Sequence, residues 1–259
     1  MNKQIENRSQ VLQEHFGITA DSQQFIIALA GNPNVGKSTV FNALTGLRQH
    51  TGNWPGKTVD NAQGLFTHHK QNFLLVDLPG TYSILAHTVE EEVARDFICF
   101  GKPDATLVVL DATCLERNLN LALQVMEITP NCIVCVNLMD EARKKNIHID
   151  LPALERELGV PVVATAARQG EGLESLKETL YQVSIGVKQP SPRQITYSPV
   201  VEEAVAALLP GITRLVGTAL NPRWVALRLL DGDTRFIEQI HRHITRQTAL
   251  PLAKEVAAI

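Results

Sequence analysis

From Phe25 onward the chain alternates two hydrophobic rhythms. Short apolar runs ending in Gly, Asp or small residues read as buried strands: FIIALAG (25–31), ATLVVLDAT (105–113), CIVCVNLMD (132–140) and VPVVATAA (160–167). Between them, segments with apolar residues at every third or fourth position read as helices: GKSTVFNALTG (36–46), TVEEEVARDFICFG (88–101), ERNLNLALQVMEIT (116–129), DLPALERELG (150–159) and GLESLKETLYQVS (172–184). GLFTHHKQNFLLVDLPG (64–80) reads as a hairpin of two strands. Strands alternating with helices imply parallel pairing through right-handed crossovers. The class is therefore α/β: a doubly wound, mostly parallel sheet with one antiparallel edge strand supplied by the hairpin.

Two stretches break this rhythm. TGNWPGKTVD (51–60) brackets Trp54 with the turn-forming pairs Gly52-Asn53 and Pro55-Gly56; it reads as an irregular loop in which Trp54 is mobile or touches a partner rather than filling a core. KQPSPRQITYSP (188–199), rich in Pro and Ser, reads as a linker. The chain thus divides into a polar N-terminal arm (1–24) read as a short or frayed helix, a sheet domain (25–187), and a small all-α domain (188–259) broken by Pro, Gly and Asn-Pro.

Composition narrows the partners. Of 259 residues, 44% are hydrophobic and 20% charged, which suits a globular chain, and the net charge of -3 argues against nucleic acid as a partner. No apolar run approaches the roughly 18 residues that cross a bilayer, and the polar start lacks a secretory stretch, so this piece is expected to be soluble and cytosolic. Four cysteines do not suggest a disulfide framework. Cys132 and Cys135, three apart on a strand, point to opposite faces, which disfavours a metal or redox pair.

The chemistry begins where the first strand ends. GNPNVGKS runs through Gly31, Asn32, Pro33, Asn34, Val35, Gly36, Lys37 and Ser38, with Thr39 next in the helix, and matches the phosphate-loop pattern G-x-x-x-x-G-K-[ST] between strand and helix. Such a loop turns backbone N–H groups and a helix N-terminus toward phosphate oxygens. Lys37 then reaches the β and γ phosphates, and Ser38 offers its hydroxyl to Mg²⁺. Asp77, ending a strand in VDLPG, suits Mg²⁺ through water, and the Gly80 N–H can approach a γ-phosphate. NLMD sets Asn137, Leu138 and Asp140 at the carboxyl edge of the sheet, where open α/β sheets bind ligands. Asp140 can accept the guanine N1–H and N2–H₂, which adenine lacks, so GTP and GDP are favoured over ATP. The alternative for Asn137 and Asp140 is a turn and helix cap. Thr165, Ala166 and Ala167 follow the last strand, where the Ala166 N–H can meet guanine O6.

In their order, GNPNVGKS, TVD, DLPG, NLMD and TAA resemble the guanine-nucleotide boxes of the translation-factor-related GTPases. Together with GNWPGKTV, VDLPGTYS and a helical tail containing NPRWVALRLLDGD, they resemble the cytosolic N-terminal part of the ferrous iron transport protein B family, over roughly Phe25 to Ile240. The resemblance implies a P-loop GTPase fold. It makes the loop from Thr51 to Asp60 switch I, with Gly56, Lys57 and Thr58 near the nucleotide and Thr58 ligating Mg²⁺ in the triphosphate state. It also implies K⁺ stimulation, with K⁺ held by Asn34 and by backbone carbonyls of Gly52 and Trp54; Asn34 reads equally well as a turn former. Lys37, Asn34, Thr58 and Gly80 become the catalytic set. The partner it implies is a transmembrane iron permease part of the same natural polypeptide, at the cytoplasmic face of a bacterial inner membrane. A small cytosolic accessory protein and homo-oligomers are compatible with it.

The chain departs from the GTPase pattern twice. Thr81 stands where many such enzymes carry a water-positioning Gln, which predicts slow hydrolysis, and Leu138 replaces the lysine of the guanine box. A soluble ribosome- or RNA-maturation GTPase is the rival reading, and an adaptor that binds GTP without turnover is another. Lys57 and Asp60 read first as solvated charges. His68 and His69 read as a surface turn at the hairpin tip rather than an iron site, His241 and His243 diverge on a helix, and Glu90, Glu91 and Glu92 suit a helix N-terminus.

Overall fold

The computed structural model describes residues 2–21, 23–46, 49–85, 88–233 and 236–242. The strands are β1 (Gln24–Gly31), β2 (Gln49–Asn53), β3 (Asp60–His68), β4 (Gln71–Asp77), β5 (Ala105–Asp111), β6 (Cys132–Asn137) and β7 (Val162–Ala164). They form one sheet in the order β2-β3-β4-β1-β5-β6-β7. The inner strands pair in parallel, whereas β3 runs antiparallel to both β2 and β4. This is the doubly wound, mostly parallel sheet with an antiparallel edge. The apolar runs predict β1, β5 and β6 because strands covered on both faces carry no polar alternation. Every residue of β6 is buried, Cys132 and Cys135 included, and both thiols are pushed up to about 12 by burial.

The helices around this sheet are α1 (Asn2–Phe16), α2 (Lys37–Thr45), α3 (Val89–Phe100), α4 (Leu115–Ile128), α5 (Met139–Lys144), α6 (Leu151–Leu158) and α7 (Leu173–Ser184). Val40, Phe41 and Leu44 of α2 and Leu176, Leu180 and Val183 of α7 share one core with Leu29, Leu75, Leu107 and Ile133. Local chemistry sets the helix ends: Thr88 caps α3 by accepting the Glu91 N–H, and Asp150 caps α6 by accepting the Ala153 N–H.

The structure departs from several expectations. The stretch before Trp54 is an edge strand, with β2 paired to β3 from Gln49↔Gly64 to Asn53↔Asp60. Trp54 itself is core, at 2% exposure, and its ring packs edge-on against Phe16 (6.1 Å between centroids) and Phe97 (5.6 Å). The turn pairs do not expel the indole: the Trp54 N–H donates to the Val59 carbonyl and the Lys57 N–H to the Trp54 carbonyl, closing a turn that aims the ring inward. The N-terminal helix, one of the two readings of that arm, is docked. Leu12 and Phe16 of α1, and Ile18 just after it, are buried, and the Arg8 guanidinium forks onto Asp104 at 3.0 and 2.8 Å. Lys57 pairs with Glu92 of α3 at 2.6 Å instead of standing in solvent.

Cα packing separates the chain into residues 1–194 and 195–259. The second unit holds α8 (Pro199–Val216), α9 (Pro222–Leu230) and helical residues 236–242. The α8 helix runs through Pro210, where a break was expected. Arg223 of α9 forks onto Glu202 of α8, both bonds at 2.8 Å, and the Trp224 ring packs edge-on against Phe236 at 4.8 Å. His243 lies outside the described residues.

Candidate functional site

Between β1 and α2 the backbone takes left-handed conformations at Asn34 (φ 67°) and Gly36 (φ 79°). Asparagine tolerates that region and glycine has no Cβ to clash in it. A Cβ on Gly36 would also meet Asn137 Nδ2 at 2.5 Å, and one on Gly31 the Val109 carbonyl oxygen at 2.8 Å, so strand ends press on the loop from behind. In front of it opens a pocket of about 590 Å³ lined by Asn32, Pro33, Asn34, Gly36, Lys37, Ser38, Thr39 and Gly80.

The charged chemistry of this pocket is turned inward. The Lys37 ammonium donates to the Asp77 carboxylate and to the Leu78 carbonyl, the latter at 2.6 Å. Burial pushes the Asp77 carboxyl above its ordinary value, against the opposing pull of Lys37. Both amide atoms of Asn32 are buried without a hydrogen-bond partner. Each such orphan costs about 1–3 kcal/mol, and a ligand in the pocket can supply the missing partner. Thr81 is buried; its hydroxyl donates to the Ser83 carbonyl and accepts the Ser83 N–H, so it does not orient a water at Gly80.

One strand end away, Asn137 is buried and fully engaged. Its Nδ2 donates to the Val35 carbonyl at 3.1 Å, and its Oδ1 accepts from Thr165 Oγ1 at 3.0 Å and from the Ala167 N–H at 3.2 Å. Asn137 thereby ties the loop after β1, its own strand and the loop after β7 together. Sequence reasoning weighed it as a base contact or a turn former and missed this bracing role; the signal was the polar Asn and Thr closing two apolar strands. The Ala166 N–H donates to the Glu171 carbonyl at 3.2 Å. Leu138 takes a left-handed conformation (φ 62°) and α5 starts beyond it, which leaves Asp140 half-exposed with Gln169 Nε2 at 3.2 Å.

The residues expected from switch I stand apart from the pocket lining. Gly52 ends in the β2–β3 ladder, Trp54 is in the aromatic core, and Gly56, Lys57 and Thr58 follow on the connection to β3, with Thr58 exposed.

Residues 25–180 match the family described as ferrous iron transport protein B, and residues 197–258 the FeoB cytosolic helical domain. The Fe(2+) transport protein A/Fe(2+) transporter FeoB fusion protein of Porphyromonas gingivalis is 40% identical over 211 residues, which cover 80% of this chain and 25% of that protein. The chain spans about a quarter of the length of the curated relatives it matches. The cytosolic domain of T. maritima FeoB in a GDP form has a TM-score of 0.77 at 37% identity, covering 85% of each chain. Its GMPPNP form gives 0.76 at 37% identity, covering 85% of this chain and 86% of that one.

Proposed function

The chain belongs to the ferrous iron transport protein B family, and we propose that it binds GTP and hydrolyses it slowly, as the cytosolic switch of a membrane ferrous iron transporter. The observation that carries this reading is the Asn137–Val35 hydrogen bond, which yokes the phosphate-loop pocket to the end of β6, from which α5 carries Asp140. Phosphates then lie against the backbone N–H groups of Asn34 to Thr39, and the purine lies toward Asp140, with Leu138 against its face. Asp140 accepts the two guanine donors and meets no donor from adenine. The Ala166 N–H reaches O6 by sharing or leaving its bond to Glu171. Nucleotide entry takes Lys37 from Asp77 to the β and γ oxygens, and Gly80, without a side chain, lets its N–H follow the γ-phosphate. Solved relatives bound to GDP and GMPPNP support the guanine assignment.

Mg²⁺ fits the donor set, since the Ser38 hydroxyl, the Asp77 carboxylate released by Lys37 and the Thr58 hydroxyl are hard oxygen ligands. Bound there, it would neutralise charge on the β and γ oxygens. Thr58 joins the set when the segment after Trp54 closes on the nucleotide. For K⁺, Asn34 lines the pocket, but the Trp54 carbonyl already accepts the Lys57 N–H and Gly52 lies in the sheet ladder. K⁺ stimulation therefore rests on Asn34 and on rearrangement of that segment. We assign residues 188–259 to a domain that modulates GDP affinity, and the permease part of the longer protein, at the cytoplasmic face of a bacterial inner membrane, as the partner that reads the nucleotide state.

Turnover of GTP and ATP in K⁺ and in Na⁺ tests this. GTP is expected to be preferred by at least roughly 100-fold, with faster turnover in K⁺. Equal turnover of ATP removes the guanine assignment, and equal rates in the two salts remove the role of Asn34. Tight GTP binding with no turnover favours the adaptor reading, which the self-occupied Thr81 hydroxyl supports.

A further inference from the structure

The β3–β4 hairpin tip and α7 bring together a cluster independent of the nucleotide pocket. His68 closes the hairpin opposite Gln71, and His69 and Lys70 form its two-residue turn at φ 48° and 61°. His68 Nε2 lies 2.9 Å and His69 Nε2 2.8 Å from the same oxygen, Oε2 of Glu178. The other carboxylate oxygen accepts Gln182 Nε2 at 2.8 Å, which fixes the carboxylate plane. Tyr181, three residues on from Glu178, sets its ring 4.9 Å from that of His69 and 6.1 Å from that of His68.

We propose that His68, His69 and Glu178 form a binding site for one divalent transition-metal ion of the Fe²⁺ and Zn²⁺ class. Three donor atoms from two elements lie within 4.8 Å of one another. Two imidazole nitrogens with one carboxylate oxygen suit borderline cations and disfavour Mg²⁺ and Ca²⁺, which take oxygen ligands. With bonds of about 2.0–2.1 Å in a tetrahedral site, ligand atoms stand roughly 3.3 Å apart. The 2.8 and 2.9 Å contacts therefore need to open by only about half an ångström as the ion takes each Nε2 and the ring keeps its proton on Nδ1. Gln182 and Tyr181 orient the ligands in the way that supporting shells do at metal sites. His69 is 55% exposed and Glu178 40%, which leaves the outer coordination positions to water.

Calorimetric titration of the 259-residue chain with Zn²⁺ alone and, without oxygen, Fe²⁺ alone tests the site, with Co²⁺ absorption reporting the ligand set. One ion per chain is expected, undisturbed by millimolar Mg²⁺. His69→Asn keeps a residue that tolerates the left-handed turn, and Glu178→Gln keeps the shape of the side chain. Each is expected to weaken binding at least tenfold while leaving the melting temperature of the metal-free chain within a few degrees. Absence of stoichiometric binding, or binding unchanged in both folded variants, overturns the proposal.

Discussion

At the phosphate end of the proposed site Lys37 lies folded back on Asp77 and Leu78 and Asn32 has no partner, whereas at the base end every polar atom of the Asn137 side chain is already bonded within the protein. The phosphate end is thus poised: its charges cancel one another until a more highly charged ligand displaces the internal pairing. The base end is assembled in advance and leaves one half-exposed carboxylate, Asp140, for recognition. Preassembly suits discrimination, because a rigid acceptor penalises a base that lacks donors. Poise suits a switch, because the interactions formed on binding differ from those they replace.

Lys37→Ala should have the largest effect. It removes charge-assisted contacts to phosphate at about 2 kcal/mol each, two in GTP and one in GDP, so affinity should fall roughly 1000-fold for GTP and roughly 30-fold for GDP in fluorescent-nucleotide titrations. It also strips a buried carboxylate of its cation, and the already raised Asp77 carboxyl should rise further. A folded Lys37→Ala variant with near-normal affinity would show that the phosphate end is not where the triphosphate sits.

Asp140→Asn tests the other end. It loses two hydrogen bonds to guanine, so GDP affinity should drop about 100-fold while that for ADP changes little. Melting temperature should stay put, since in the protein Asp140 is bonded only weakly and at the surface. If affinity for both nucleotides fell together, the preassembled-edge account would be wrong.

Asn137→Ala should mix the two ends. It leaves the Thr165 hydroxyl, the Ala167 N–H and the Val35 carbonyl without their partner, which should cost about 2 kcal/mol in denaturant unfolding. The signature is loss of stability in the nucleotide-free chain, which Asp140→Asn should not match. Replacement without that loss would remove the brace between the loop and the base edge.

How far these features were legible follows from how local each one is. The phosphate loop is a contiguous pattern whose glycines answer to backbone geometry, so sequence shows it together with the strand and helix on either side. The parallel strands were legible because burial on both faces leaves an unbroken apolar run. Trp54 was misread because its neighbours report only a turn, while Phe16 and Phe97, which bury it, lie far away in the chain; β2 was missed because its pairing with β3 outweighs the low strand propensity of Gly52 and Asn53. Arg8 with Asp104 and Lys57 with Glu92 are likewise non-local, and no spacing rule joins them. Nor could any rule bring Glu178 to His68 and His69, which as neighbours on a hairpin tip read as a solvated turn.

The smallest expected effect sharpens the comparison most finely. Gln169 donates to Asp140 from an exposed position in the turn after the last strand, at 3.2 Å. A surface bond of this kind contributes within about 0.5 kcal/mol to stability, so Gln169→Ala should leave the unfolding midpoint where it is. Its consequence should be confined to recognition. Without Gln169 the carboxylate samples more rotamers before the base arrives, and GDP affinity should fall by less than about threefold, with the GDP-to-ADP ratio falling in step. A larger loss would mean that Gln169 itself touches the base. A gain in affinity would mean that Gln169 competes with guanine for the same oxygen, in which case the base end is poised as the phosphate end is, and the contrast between the two ends disappears.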